Sequence, residues 1–176
     1  MRRILSVLCC LAFCSLPVLA HARAQEKAAK GPAMSDQKFV DFAAQTDMVE
    51  ANLGQLAQTA SDSQPVKDYG QMLVTDHTKD FNQLYSAAHQ ANLTVPDAID
   101  TENNKTMIGP FEKLKGEAFD RRYIHEMIAG HTKAIAIYKK EEADAQNPAI
   151  KSYAETAIPV LQKHLDAAEA LEKGKK

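Results

Sequence analysis

Residues 65–91 read PVKDYGQMLVTDHTKDFNQLYSAAHQA, and this segment carries the pattern that decides the fold. Its apolar and small residues recur every three or four positions, as on one face of an amphipathic α-helix. Pro65 suits the first turn of such a helix. The positions of the stripe are Val66, Gly70, Leu73, His77, Phe81, Leu84 and Ala88. The segment therefore predicts a helix, ending near Ala91, that carries one imidazole on its buried face.

Three further segments have helical spacing, and no segment alternates in the manner of a strand. One precedes Pro65 and spans about 36–60, with Ser35 as its N-cap. The others span about 117–145 and about 148–171. The stripe of the segment 36–60 is Phe39, Phe42, Thr46, Val49, Leu53, Leu56 and Ala60. That of 117–145 is Ile124, Met127, His131, Ile135 and Tyr138. That of 148–171 is Ile150, Tyr153, Ala157, Leu161, His164, Ala168 and Leu171. The sequence thus predicts an all-α domain, a four-helix bundle over residues 35–173.

The connection between the second and third predicted helices, residues 92–116, is too long for a tight turn. Val95-Pro96-Asp97 and Gly109-Pro110 interrupt it, and we expect one short helix at 111–115. An extended chain covers about 3.3 Å per residue, so this connection is long enough to run the length of the bundle.

The first 24 residues have the pattern of a secretory signal peptide. Arg2 and Arg3 precede a short apolar run at 4–16, and small residues allow cleavage after Ala22 or Ala24. Residues 25–34 then form a flexible linker in this interpretation. A retained N-terminal anchor is the alternative. We expect a periplasmic or secreted protein without a membrane span after signal removal.

Cysteine and charge content exclude several classes of function. Cys9, Cys10 and Cys14 all lie in the predicted signal peptide, so the mature chain would have no disulfide and no thiolate metal site. The full chain has 21 basic and 23 acidic residues, and cleavage after Ala24 would remove three arginines and no acid. A net negative chain gives no support for nucleic-acid binding. Gly-rich phosphate loops and HExxH zinc motifs are absent from the sequence.

Three histidines, His77, His131 and His164, each interrupt an apolar stripe near the middle of its predicted helix. A buried imidazole needs a polar partner for at least one ring nitrogen. If the helices pair as hairpins, the rise of 1.5 Å per residue puts the three rings and Glu50 within about two turns of one another. This layer predicts a site for one transition-metal ion, with Glu50 as a fourth ligand or as an orienting group.

Other groups near these histidines have predicted supporting roles. Asp76 and Asp120 are candidates for hydrogen-bonding the outer nitrogens of the rings, and Met127 is a weaker candidate ligand. Imidazole and carboxylate suit zinc or copper, and iron less well. Two alternatives stay open. One is a structural or stress-related bundle with a metal-free buried polar layer, and the other, weaker one is a metal-dependent oxidoreductase.

Several stretches resemble a family of exported bacterial proteins known as domain of unknown function 4142. These stretches are 72–77 (MLVTDH), 118–123 (AFDRRY), 159–165 (PVLQKHL), and His131 following Met127. The resemblance implies a ferritin-like four-helix bundle whose long connection joins helices two and three. Ferritin-like di-iron sites use Glu-x-x-His pairs. The residues three before the histidines are Val74, Ile128 and Leu161. The resemblance therefore implies the fold without ferroxidase activity.

Overall fold

The computed structural model describes residues 34–174. The predicted signal peptide, residues 1–24, and residues 25–33 of the predicted linker lie outside this part of the chain. Five α-helices follow in order: α1 (Asp36–Ala60), α2 (Gln64–Gln90), α3 (Thr101–Asn103), α4 (Gly116–Asp144) and α5 (Pro148–Gly174). No residue from 34 to 174 belongs to a β-strand, which confirms the prediction of an all-α fold.

The four long helices begin and end close to the predicted positions because local capping signals are strong. The Ser35 hydroxyl accepts a hydrogen bond from the backbone N–H of Lys38 at the start of α1. Pro65 lies in the first turn of α2. At the start of α5, the Asn147 side chain accepts from the N–H of Ala149 at 2.9 Å. These local contacts account for where α1, α2 and α5 begin.

Short turns join α1 to α2 and α4 to α5, and each of these pairs packs together as a helical hairpin. The hairpins then meet mainly through α2 and α5, while α1 contacts α4 less extensively. Within residues 34–174, none of the helices combines the length and hydropathy needed to cross a bilayer.

Two glycines allow α1 and α2 to approach closely. A Cβ atom on Gly54 would lie 2.5 Å from the carbonyl oxygen of Gly70, and one on Gly70 would lie 2.9 Å from that of Gly54. Because the two helices are so close here, the face of α1 that packs against α2 carries small residues. Accordingly Phe42, Thr46 and Leu56 of the predicted stripe are only partly buried. Phe39, Val49, Leu53 and Ala60 of that stripe are buried, together with residues of the neighbouring face, namely Val40, Ala43, Ala44, Asp47, Glu50, Gly54 and Ala57.

The connection from α2 to α4 follows α1, and two glutamine side chains of α1 hold it. Gln37 both donates to the Thr94 carbonyl, at 2.8 Å, and accepts from the Thr94 N–H, at 3.1 Å. Gln45, eight residues later on the same face, donates to the Ala98 carbonyl and accepts from the Asp100 N–H, each at 2.9 Å. The backbone of the connection is thereby fixed without a strand or long helix of its own.

The prediction of a short helix at 111–115 is wrong, because the helical turns lie earlier in the connection. Asp100 caps α3 by accepting from the Asn103 N–H at 2.7 Å. A π-turn (Asn104–Ile108) and a 3-10 turn (Gly109–Phe111) follow directly. The Asp100 cap starts the helical turns ten residues before the segment that we expected to be helical.

A polar layer divides the apolar core into two clusters. One cluster includes Phe39, Leu84, Ile135, Tyr138, Ile150 and Leu161; the other includes Leu53, Leu73, Phe119, Tyr123, Met127 and Ala168. On α2, α4 and α5 a buried histidine lies between the two clusters, namely His77, His131 and His164, and Asp80 accompanies His77 on α2. On α1 the corresponding polar residues are Asp47 and Glu50. The four long helices therefore share one polar level in the middle of the core.

Candidate metal centre

The three predicted histidines come together at this level. His77 on α2, His131 on α4 and His164 on α5 are each no more than 2% exposed. Their ring centroids are 5.1–5.9 Å apart. One nitrogen atom from each ring lies within 4.8 Å of the other two. Among residues 34–174, these three form the group of His, Asp or Glu side chains that is close enough to hold one ion.

His77 is held by a carboxylate of α1. Its Nδ1 lies 2.8 Å from Oδ1 of Asp47, and both side chains are 2% exposed. A carboxylate oxygen accepts, so Nδ1 carries the hydrogen. The other ring nitrogen, Nε2, is buried and has no hydrogen-bond partner among the described residues. Asp47 thus orients the ring and leaves Nε2 free.

His131 is held by the backbone of its own helix. Its Nδ1 donates to the carbonyl oxygen of Met127, one turn earlier, at 2.9 Å. Glu50 lies on this same side of the ring, with Oε1 at 3.8 Å from Nδ1, too long for a hydrogen bond. A carbonyl oxygen can only accept, so the hydrogen is on Nδ1 and the lone pair is on Nε2.

His164 is held by a carboxylate nearer the surface. Its Nε2 donates to Oδ2 of Asp76 at 2.9 Å, and the Lys163 ammonium donates to the same oxygen at 3.0 Å. Partial burial raises the pKa of Asp76, but these hydrogen bonds outweigh it and lower the pKa overall. Asp76 is therefore an ionised acceptor, which leaves the lone pair of His164 on Nδ1.

The inner nitrogens of His131 and His164 consequently face one another without a hydrogen-bond donor between them. Nε2 of His131 and Nδ1 of His164 are 3.2 Å apart, and by the assignments above both carry lone pairs. Nε2 of His77 is the third inner nitrogen. Two facing lone pairs repel unless a proton or a metal ion lies between them. The outer partners thus hold the trio, defined as His77, His131 and His164, from outside.

Electrostatics allow one extra proton in the trio near neutral pH. Burial lowers the pKa of His77, but the hydrogen bond to Asp47 and the charges of Glu50, Asp47 and Asp80 outweigh it and raise the pKa to about 9. Burial lowers the pKa of His164 to about 4, and the charge of His77 acts in the same direction. Protonation of His77 therefore opposes protonation of its neighbour, and His77 holds the extra proton.

Behind Asp47 the polar contacts continue into the core. Burial raises the pKa of Asp47 to about 7, against the hydrogen bond and charge of His77, and Asp80 raises it further. The Tyr153 hydroxyl donates to Oδ2 of Asp80, and it lies 3.2 Å from the Tyr138 hydroxyl. The outer partner of His77 is therefore itself placed in a buried polar chain.

Sequence reasoning missed Asp47 and Asp80. Asp47 lies off the predicted stripe of α1 and on the face that is actually buried. Helical spacing contained a signal for both, because Asp47 is three residues before Glu50 and Asp80 is three residues after His77. A carboxylate one turn from a buried polar group on the same helix is a natural outer partner.

The other predicted site residues occupy different places. Asp76 contacts His164 as an outer partner, and Met127 contributes its carbonyl oxygen to His131. Glu50 lies beside the outer nitrogen of His131 and outside the converging trio. Asp120 is buried on α4, but the rise of an α-helix places it about 16 Å along the axis from His131. His89 and His125, which fall off the stripes, are exposed.

Comparison with known proteins identifies a family and a fold. The family model described as domain of unknown function (DUF4142) matches residues 21–171. No curated protein matches the chain significantly. The solved structure of CopM in the Cu(I)-bound form matches with a TM-score of 0.62 at 15% identity, covering 80% of this chain and 97% of that one.

Two further structures of CopM match comparably. The Ag-bound form obtained by soaking has a TM-score of 0.62 at 14% identity, with 81% of this chain and 98% of that chain covered. The Cu(II)-bound form has a TM-score of 0.61 at 13% identity, with 82% and 100% covered. At this identity the similarity shows a shared fold.

Proposed function

The chain belongs to the family of domain of unknown function (DUF4142), and we propose that it binds one transition-metal ion between His77, His131 and His164. In this proposal the ligand atoms are Nε2 of His77, Nε2 of His131 and Nδ1 of His164. Asp47, the Met127 carbonyl and Asp76 hold the three rings from outside. Glu50 is close enough to supply charge to the site without being one of the three converging ligands.

The observation that carries this proposal is the arrangement of hydrogens around the trio. Each outer ring nitrogen donates to an oxygen atom, so the inner nitrogens of His131 and His164 carry lone pairs, and that of His77 carries one once its extra proton has left. Ligand histidines in proteins have this arrangement, because an outer acceptor fixes the tautomer and raises the basicity of the ring. Two imidazole ligands at 2.0–2.1 Å from a tetrahedral ion are about 3.4 Å apart. The 3.2 Å separation of His131 and His164 is close to this value.

Copper is the metal that we propose first, with zinc as the alternative. Imidazole binds both ions well. The similar CopM structures were obtained with Cu(I), Cu(II) and silver, and they are the reason for preferring copper. Iron is the least suitable of the three, because the carboxylates of this layer contact outer nitrogens rather than joining the converging group.

The proposal includes the setting in which the site works. We propose that the chain is exported and functions in the periplasm or as a secreted protein, on the basis of the signal pattern in residues 1–24. We also propose that the two helical hairpins form a ferritin-like four-helix bundle with its long connection between α2 and α4. The net negative charge supports a protein that does not bind nucleic acid.

A metal-free polar layer is a second candidate function, and one observation favours it. The 3.2 Å separation of His131 and His164 is also a hydrogen-bond distance, so a single proton on either inner nitrogen would join the two rings. In that case the layer would fix the register of the helices and hold no ion.

Metal content of matched variants separates these two functions. Protein purified without an affinity tag is incubated with Cu(I) under anaerobic conditions, desalted and analysed for copper and zinc. We expect one ion per wild-type chain, one per His89→Ala chain and none per His131→Ala chain, because His89 is exposed on the same hairpin as His77. Helical circular dichroism confirms that the variants fold. Equal metal content in the His89→Ala and His131→Ala proteins would contradict the assignment of His131 as a ligand.

A further inference from the structure

A cavity of about 360 Å³ lies between α1, α4 and the α2–α4 connection. A smaller cavity of about 50 Å³ shares Val49, Glu50, Met107 and Gly130 with it. This is the side on which α1 and α4 make few contacts. The trio is buried, so an ion must reach it through some opening between helices. The shared lining residues make this side a candidate for that opening.

Glu50 is the polar group at the inner side of these cavities. It is 6% exposed, and its Oε2 has no hydrogen-bond partner among the described residues. The buried hydroxyls of Tyr69 and Tyr123 are also unpartnered within residues 34–174. Burial, and then the charge of Glu50, raise the pKa of both tyrosines, which indicates that they lie near the carboxylate. Buried polar groups normally have hydrogen-bond partners, so the space beside the oxygens of Glu50, Tyr69 and Tyr123 suits a water molecule or a cation.

Met107 lies at the outer side of the same cavities. It lines both of them and is 40% exposed, although large apolar side chains are usually buried. The buried thioether of Met127 borders the smaller cavity. Thioether sulfur is a soft ligand that favours Cu(I). The opening thus has a soft donor outside and a carboxylate inside.

Gly130 leaves the space between this opening and Glu50 free. A Cβ atom at Gly130 would lie 3.5 Å from Oε1 of Glu50. Any longer side chain at this position would therefore extend toward the carboxylate or into the cavity. His131, the next residue, lies directly behind Glu50, at 3.8 Å from Oε1 to Nδ1.

His131 is also the ring of the trio whose outer nitrogen has a neutral acceptor. Carboxylates hold His77 and His164, whereas only a backbone carbonyl holds His131. Hydrogen bonds to ionised groups are roughly twice as strong as those between neutral groups. If the His131 ring rotated, Nε2 would face Glu50 and Nδ1 would face the other two rings of the trio.

We propose that a metal ion reaches the trio from this side, passing from the Met107 thioether to the Glu50 carboxylate and then to His131. The proposal rests on the metal-binding function proposed above, and it assigns Glu50 as a transient ligand. A second cavity, of about 220 Å³, lies between α1 and α2 and is lined by Asp47, Met48 and His77. It is a less suitable route, because the ring behind it is anchored by a carboxylate.

Loading kinetics test the route. Apoprotein is mixed rapidly with Cu(I) under anaerobic conditions, and quenching of tyrosine fluorescence is followed, since the chain has five tyrosines and no tryptophan. We expect Gly130→Leu and Glu50→Gln to slow association by about tenfold or more, a barrier increase of about 1.4 kcal/mol. Ala51→Leu, which fills the α1–α2 cavity, is the matched control and should load at the wild-type rate. Leucine in place of a helical glycine favours the helix, so Gly130→Leu is expected to fold.

Equilibrium measurements distinguish the two proposals. We expect Gly130→Leu to slow dissociation as much as association, so that its dissociation constant and its stoichiometry match those of the wild type. If the wild type binds one ion and Gly130→Leu and Glu50→Gln both load at its rate, the route is wrong and the metal site stands. The same holds if Ala51→Leu is the slow variant. If the wild type binds no ion, both proposals fail.

Discussion

Binding of a metal ion to the trio is expected to expel one proton, and His77 is its source. Burial lowers the pKa of His77, but the Asp47 hydrogen bond and the surrounding carboxylate charges outweigh it and raise the pKa to about 9. In the metal-free protein at pH 7, Nε2 therefore carries a hydrogen. A metal ion needs the lone pair of that atom, so the proton must leave on binding.

The size of the effect follows from the pKa of His77. Each pH unit below this pKa reduces the apparent affinity tenfold, or about 1.36 kcal/mol. From pH 7 to pH 9 the affinity is therefore expected to rise about fiftyfold, or about 2.3 kcal/mol, and to level off about one unit above pH 9. His164 does not contribute in this range, because burial and the charge of His77 lower its pKa to about 4.

Isothermal titration calorimetry measures both quantities. Silver(I) is a suitable probe because it is not reduced or hydrolysed in this pH range. Titrations at pH 7 in two buffers with different ionisation enthalpies give the number of protons released, which we expect to be about one per ion. The His89→Ala variant is the control and should release the same number. An affinity for silver that is unchanged between pH 7 and pH 9, in a protein that binds one ion, would refute the reasoning.

The remaining predictions concern stability. Gly70→Ala should destabilise the fold by about 1–3 kcal/mol in urea unfolding, because its Cβ atom would lie 2.9 Å from Ala57 Cβ and from the Gly54 carbonyl oxygen. Gly174→Ala, with nothing within 4 Å, should have no such effect. Glu141 is buried, and burial and then the charge of Asp36 raise its pKa from 4.5 to about 7. Its contribution to stability is therefore complete below pH 4.5 and is lost as the pH rises through 7. Glu141→Gln should recover up to about 3 kcal/mol at pH 8, whereas the exposed Glu155→Gln should recover none. A Glu141→Gln protein with the wild-type pH dependence of unfolding would contradict this assignment.

The helices were predictable because their signals are local. Ser35 caps α1, a proline starts both α2 and α5, and each stripe has a period of three to four residues. The face of α1 was less predictable, because it depends on the approach of Gly54 to Gly70. Phe39, Val49, Leu53 and Ala60 of the predicted stripe are buried, but that contact also buries small residues beside them and leaves Phe42 and Leu56 only partly buried. A periodicity argument favours large apolar residues and so does not find the small ones.

The candidate site, too, was predictable from the sequence only in part. The convergence of His77, His131 and His164 follows from matching positions on three helices, and sequence spacing contains that information. The outer partners depend on the rotation of each helix about its axis. Asp76 was predicted on the correct helix, whereas Asp47 was missed once the face of α1 was misplaced. The placement of Glu50 outside the trio depends on side-chain direction, which spacing does not determine.

The choice between a metal site and a metal-free layer turns on where the hydrogen-bond donors are. A layer that only fixes register is most stable when its members satisfy one another, because unpartnered buried nitrogens are costly. Here the donors point outward to Asp47, Asp76 and a carbonyl, and Nε2 of His77 lacks a partner among the described residues. Apolar residues lie directly above and below this level, so leucine at the three positions would give a continuous core. Two inward lone pairs, with a third on His77 once its extra proton has left, are thus a poor structural solution and a good ligand set. A cation removes the repulsion between the rings, whereas a single proton satisfies only one pair of them.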